Sequence, residues 1–241
     1  PASNLPNKFP GGPGNDAYYL DGEDDWVYEA YRDGYDQVYS SANHELSLNV
    51  EEAVLTGSAN LSALGNAQSN LIIGNAGNNV IEGGEGNDTL RGGAGEDSLS
   101  YRQLDRAIEL DLSRREAIST GKRDIFEEFE IFIGSAYADT LRGASGSSTL
   151  RGGQGDDLLF PGERGELDGG EGRDSVDFSL MPQGLRAEMF RQWVQVGNQT
   201  FKVANIETLT ATPWDDHFVD GQTSSVLKGL GGNDVFEADS N

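Results

Sequence analysis

An all-β fold of stacked coils follows from three features of these 241 residues. A nine-residue unit, Gly-Gly-x-Gly-x-Asp-x-aliphatic-x, recurs along the chain and stands twice in tandem in GGEGNDTLRGGAGEDSL, Gly83 to Leu99. Its last three residues, x-apolar-x, suffice only for a very short strand with one inward side chain. Such a strand cannot pack alone, so successive units must stack and share a core. A longer repeat encloses the short ones: Asp97 and Asp174, Glu130 and Glu207, Asp139 and Asp216, and Asp157 and Asp234 are each 77 residues apart.

Along the chain, GGPGNDAYY (Gly11 to Tyr19) opens the series with Asp16 at the sixth position. A divergent stretch follows, then NVEEAVLTG. GNAQSNLII and GNAGNNVIE place Asn70 and Asn79 there, and the tandem pair places Asp88 and Asp97. GSAYADTLR, GASGSSTLR and GGQGDDLLF run from Gly134 to Phe160 with Asp139, Ser148 and Asp157 at position six. GGEGRDSVD supplies Asp174, GLGGNDVFE supplies Asp234, and the 77-residue offset adds Asp216. Glycines at positions two and four, such as Gly84, Gly86, Gly93, Gly95, Gly153, Gly155, Gly170 and Gly172, admit the positive φ and close approach of a tight turn. At position eight stand Ile72, Ile81, Leu90, Leu99, Leu141, Leu150, Leu159, Val176, Phe218, Leu227 and Phe236, the expected core. The inserts Arg102 to Ile133 and Phe178 to Asn205 hold AIELDL, FEEFEIFI, LRAEMF and WVQV, whose alternation predicts strands enlarging the coils. The domain expectation is one elongated body, residues 1–241, built of related units 1–100, 101–173 and 174–241.

Charge narrows the partners. Forty-one acids against 17 bases leave a net −24, which disfavours nucleic acid and anionic membranes and favours cations. No cysteine is present, so disulfides and thiolate metal sites are excluded. No apolar run has the length of a membrane span, and PASNLPNKFPGGPGND has neither the basic start nor the apolar run of a Sec signal peptide.

Two units, strand-turn-strand-turn, close one coil of eighteen residues, so turns eighteen apart lie above one another. That stacks Asn70 on Asp88, Asn79 on Asp97, Asp139 on Asp157 and Asp216 on Asp234. Stacked carboxylates repel unless a cation lies between them. With the turn carbonyls they supply the six or more hard oxygens that Ca²⁺ takes, whereas Mg²⁺ demands a tighter octahedron. Several Ca²⁺ ions are therefore expected.

The tandem GGEGNDTLR-GGAGEDSLS resembles the haemolysin-type calcium-binding repeat of the RTX family of secreted bacterial proteins. NVEEAVLTGSANLSALGNAQSNLIIGNAGNNVIEGG is similar to the segment before the repeats in many such exoproteins, and FEIFIGSAYADTLRG to a link between repeat blocks. The resemblance implies a right-handed parallel β-roll, or β-solenoid, with Ca²⁺ in the glycine-rich turns. It also implies export by the type I secretion apparatus, through a signal outside this segment, and folding outside the cell or at its surface. Departures are local. Asn70 and Asn79 replace acids and predict weaker sites, and PGERGELD (Pro161 to Asp168) is one residue short, which sets Asp157 and Asp174 out of the eighteen-residue register.

Other chemistry has thinner support. Glu127, Glu128 and Glu130 are the carboxylate cluster a polysaccharide lyase or glycosidase would need, but read first as a solvated face. His44 and His217, the only histidines, are too separated in sequence to suggest zinc. Trp26, Trp193 and Trp214 read as core or cap residues before sugar platforms. LDGEDDWVYE lacks the glycine of an EF-hand loop, leaving Asp21, Glu23, Asp24 and Asp25 as a loose ion site. No nucleophilic triad or phosphate loop stands out, so the chain itself is expected not to be an enzyme. Two further readings stay open: an adhesin segment contacting a cell surface or polysaccharide, and an accessory repeat module of a polysaccharide-active enzyme, protease, lipase or toxin.

Overall fold

A computed structural model describes residues 7–31, 34–220 and 225–238. The chain is all-β: a parallel β-solenoid in which the one helical element among the described residues is the 3₁₀ turn Met189–Arg191. Two compact units form, one within Pro1–Leu104 and Arg115–Ile131, the other within Asp105–Arg114 and Phe132–Asn241.

In the first unit, one sheet stacks Ala17–Leu20, Gln37–Ser40, Glu52–Leu55, Leu71–Ile73, Thr89–Arg91 and Lys122–Glu127 in parallel. A second sheet stacks His44–Glu45, Ser62–Leu64, Val80–Glu82 and Ser98–Ser100. Where the nonapeptides are regular the register is eighteen, as in Leu71 beside Thr89 and Val80 beside Ser98. Lys8–Pro10 pairs in parallel with Trp26–Tyr28, again eighteen apart.

The second unit repeats the scheme. Glu109–Asp111, Thr140–Arg142, Leu158–Phe160, Ser175–Asp177, Thr208–Thr210 and Val226–Lys228 form one parallel ladder. On the other sheet Ser147–Gln154 pairs with Arg164–Glu171, and that strand with Gln199–Ala204. His217–Asp220 and Val235–Ala238 extend the same sheet beyond the insert.

The inserts are strands, as their alternation predicts, but they leave the coil as antiparallel hairpins. Glu116–Ser119 returns along Lys122–Glu127, and 77 residues later Trp193–Val196 returns along Gln199–Ala204. Each hairpin keeps one strand in the parallel ladder. Phe126 lies beside Leu90 and Val203 beside Leu167, so their buried side chains continue the core.

Among the expected core residues Ile72, Ile81, Leu90, Leu99, Leu141, Leu150, Leu159, Val176 and Phe218 are all fully buried. Leu227 is half-buried, and Phe236 is 56 % exposed although its ring stacks on Phe218 at 4.7 Å. Both stand in the last described coil of the unit, where no further coil covers them among the described residues. Trp26 and Trp214 lie outside the core, half-exposed, because one points outward from its strand and the other sits in a turn. Among the described residues no helix is long and apolar enough to cross a membrane.

Candidate metal centre

Turn stacking fixes the site. A Cβ on Gly65 would fall on the carbonyl oxygen of Gly83, one coil on, and a Cβ on Gly134 would fall on that of Gly152. The second glycine of each turn faces carbonyls of the previous one: a Cβ on Gly84 would lie 2.6 Å from the Asn66 oxygen, on Gly93 2.6 Å from that of Asn75, and on Gly153 2.6 Å from that of Ser135. Gly84, Gly86, Gly93, Gly95, Gly153, Gly155, Gly170 and Gly172 all have positive φ, between 83° and 142°. Only glycine holds that backbone at no steric cost. The result is a row of carbonyl oxygens stacked turn on turn.

Position-six side chains run beside this row as a hydrogen-bonded ladder. The Asn70 amide donates to Asp88 Oδ1 at 2.8 Å, Asn79 to Asp97 at 2.7 Å, Asp139 to Asp157 at 2.8 Å and Asp216 to Asp234 at 3.0 Å. Asp157 donates to Asp174 Oδ1 at 2.8 Å across only seventeen residues. The deletion in PGERGELD is absorbed in the turn at Pro161–Glu163, because Ser147 already pairs with Arg164. The acid pair is thus in spatial register although it is out of sequence register.

The ladder divides into two kinds of rung. Asp139 is saturated: Oδ1 accepts from the Ile108 amide and the Ser135 hydroxyl, and Oδ2 from the Ser135 amide. Asp216 repeats this with Leu185 and Thr212. Asn70 and Asn79 close their own turns, their Oδ1 atoms accepting from Asn66 and Asn75 and their amide groups donating to Val50 and Leu61 carbonyls. In contrast, Asp88, Asp97, Asp157 and Asp174 are at most 2 % exposed, and their Oδ2 atoms have no hydrogen-bond partner. Turn position two differs between the classes: Asn66, Asn75, Ser135 and Thr212 stand there in the first and donate their backbone amides to the position-six oxygen, and Gly84, Gly93, Gly153 and Gly170 stand there in the second.

Burial raises the carboxyls of this second class, Asp88 to about 8, Asp157 to about 7 and Asp174 to about 6, with Asp97 shifted the same way. Neighbouring acids add to it: Asp124 beside Asp88, Asp139 and Asp174 beside Asp157, Glu207 beside Asp174. Buried carboxylate oxygens without a donor, next to stacked carbonyls, make an oxygen-only donor set of the chemistry that suits a hard divalent cation such as Ca²⁺.

Several ladder members escaped the sequence reading. Asp124, in the hairpin, accepts the Asp88 amide at 2.9 Å and the Tyr101 hydroxyl at 3.1 Å. Arg-Asp-Ile-Phe-Glu (123–127) does carry the x-Asp-x-apolar-x signal, but Ser119, Thr120 and Lys122 stand where the nonapeptide has its glycines. Asp36, read as divergent, accepts the Asp16 amide at 2.9 Å; Gly34-Tyr-Asp36-Gln-Val38 keeps positions four, six and eight. Carboxylate oxygens of Asp16, Glu29 and Asp36 lie within 4.8 Å of one another, and Tyr18 donates to Glu29.

Of the other candidates, Asp25 accepts from the Asn7 amide, the Asn7 side chain and the Gly22 amide, which hold its carboxyl below the usual range. Glu127 pairs with Arg91 at 2.8 Å, and Glu130 accepts the Asp97 amide at 2.9 Å. His44 is buried at a core position of the first unit, beside Ala63, while His217 contacts Arg186 and Glu237 in the second. Asp234, in the last coil, is half-buried.

A family model describing the RTX calcium-binding nonapeptide repeat matches four copies, at residues 64–99 and 133–163. No curated protein matches the chain. The matched segments contain Asp88, Asp97 and Asp157, three of the four position-six acids whose Oδ2 has no hydrogen-bond partner.

Proposed function

We propose that this RTX repeat chain is a calcium-driven folding module of a bacterial exoprotein, exported by a type I apparatus and folded in extracellular calcium. The unpartnered, buried Oδ2 atoms of Asp88, Asp97, Asp157 and Asp174 carry the reading, because the metal-free fold leaves them desolvated without compensation. In the proposed sites Ca²⁺ takes these oxygens and the carbonyls of the turns closed by Gly84, Gly86, Gly93, Gly95, Gly153, Gly155, Gly170 and Gly172, beside the ladder neighbours Asn70 of Asp88, Asn79 of Asp97 and Asp139 of Asp157. Asp16 belongs to an outlying rung of the first unit, and Asp216 with Asp234 to one of the second.

The mechanism is linkage. The sites exist only when coils are stacked, so binding free energy becomes folding free energy. At low cytosolic Ca²⁺ a chain of charge −24 stays unfolded and exportable. Extracellular modules bind with Kd of about 10⁻⁴–10⁻³ M, which suits millimolar Ca²⁺ outside. Far-ultraviolet circular dichroism tests it: disorder is expected in chelator, with a cooperative gain of β-structure toward millimolar Ca²⁺. Spectra indifferent to chelator would refute the coupling.

A further inference from the structure

Two rungs of the ladder are closed by a turn that is not a nonapeptide. In a nonapeptide the turn's first residue and its acid are five apart, as in Gly92 and Asp97 or Gly169 and Asp174. The next coil in each case uses a three-residue turn, Glu128-Phe129-Glu130 or Asn205-Ile206-Glu207. Both begin on a residue with positive φ, 64° at Glu128 and 52° at Asn205. Glutamate stands where aspartate is usual, and its additional methylene restores the reach that the missing residues remove.

The fit is the same twice. The Asp97 amide donates to Glu130 Oε2 at 2.9 Å and the Asp174 amide to Glu207 Oε2 at 2.7 Å. Amides of Glu130 and Ile131 both return to the Asp97 carbonyl, and those of Glu207 and Thr208 to the Asp174 carbonyl. A Cβ on Gly92 would lie 1.8 Å from the Glu128 carbonyl oxygen and 2.9 Å from Asp97 Oδ2. A Cβ on Gly169 would lie 2.1 Å from the Asn205 carbonyl oxygen and 2.5 Å from Asp174 Oδ2. Those two Oδ2 atoms are buried and without a donor.

From this geometry we infer a second class of divalent-cation site: Asp97 with Glu130 and the Glu128 carbonyl, and Asp174 with Glu207 and the Asn205 carbonyl. It rests on the calcium reading proposed above and adds two ions, of Ca²⁺ type, at places where the nonapeptide pattern has ended. The short turn lets the cation array pass from a block of repeats into the coil that follows it. Asn49-Val50-Glu51 has the same form, with the Asp36 amide donating to Glu51 Oε2 at 2.8 Å, but the inference is confined to the two rungs with unpartnered oxygens.

Equilibrium dialysis of Ca²⁺ against the wild-type chain and Glu130→Gln/Glu207→Gln counts the ions. Glutamine keeps an acceptor for the Asp97 and Asp174 amides and removes the charge. Two fewer ions per chain are expected, with unchanged circular dichroism at saturating Ca²⁺. Glu127→Gln, an equal charge change at the Arg91 ion pair, should leave the count unaltered. An undiminished count in the double variant overturns the second class of site, whereas a wild-type chain that binds no Ca²⁺ overturns the underlying calcium reading instead. If the double variant does not fold, exchange of Ca²⁺ for Cd²⁺ in the folded wild type reads the same contact. The carboxyl carbon resonances of Glu130 and Glu207 should then move while that of Glu127 stays, and unmoved Glu130 and Glu207 signals overturn the proposal.

Discussion

Asp157 is held from both sides, its Oδ1 accepting the Asp139 amide and its own amide donating to Asp174, while Oδ2 is left bare. Replacing it by asparagine therefore has opposite effects with and without the ion. In chelator at pH 8, Asp157→Asn removes a buried charge that burial has already pushed up to about 7, and should stabilise the fold by about 1–3 kcal/mol, the range for relieving an unsatisfied buried group. In millimolar Ca²⁺ the same change removes a charged ligand and should raise the calcium midpoint of folding. Circular dichroism checks the pair: in chelator the variant should need less of a stabilising osmolyte than the wild type to fold, in Ca²⁺ titrations it should need more Ca²⁺, and a variant that needs more osmolyte would contradict the bare-oxygen account. Asn79 shows the contrast within the native chain, since its amide group already donates to Leu61 and Asn75.

Hairpins differ from nonapeptides in what anchors them. Gln199–Ala204 follows a hairpin turn instead of a nonapeptide turn, and enters the ladder by pairing Phe201 with Gly165 and Val203 with Leu167. Phe201 is fully buried and meets Phe178 edge-on at 5.4 Å. Phe201→Ala should cost about 3–5 kcal/mol, the range for emptying an aromatic core position, measured by calcium-saturated chemical denaturation. A loss below about 1 kcal/mol would mean that the hairpin is held by its backbone pairing alone. These elements also mark where the sequence was legible. Leu90 and Leu159 could be placed in the core from spacing alone, because a nine-residue unit has one solution for its inward side chain. Asp124 and Glu130 could not be placed, because their rungs depend on which strand of an insert rejoins the ladder, and that is decided by Phe126 packing in line with Leu90. The Asp157–Asp174 rung was obscured for the opposite reason: a one-residue deletion alters the count but is absorbed in a turn before it reaches the acid.

For the chain as a whole, the raised carboxyls make stability depend on pH, and calcium opposes that dependence. Asp88, Asp157 and Asp174 lie at about 8, 7 and 6 in the metal-free fold, all through burial first, against roughly 3.9 for an unfolded aspartate. A carboxyl raised on folding binds its proton more tightly in the folded chain. Its contribution is complete below the unfolded value and is lost as pH rises through the folded one. Calcium-free protein, disordered at pH 8, should therefore shift toward the fold as pH falls to 5, the change being spread over the whole interval between the unfolded and folded values. Repulsion within a net charge of −24 acts in the same direction, since protonation relieves it. Below about pH 4 the trend should turn, because Asp25 and Asp111 are held low by hydrogen bonds that need the carboxylate. Calcium opposes this trend: protons compete with the ion for the same oxygens, and each site at tenfold its Kd adds about 1.4 kcal/mol only while deprotonated. Circular dichroism from pH 5 to 8 reads both effects: in calcium-depleted buffer the amount of stabilising osmolyte needed for folding should rise with pH, and about 10 mM Ca²⁺, roughly tenfold a Kd of 10⁻³ M, should remove that need at pH 8. An osmolyte requirement that is flat or falling with pH in the calcium-depleted series would show that the buried acids do not hold protons in the fold.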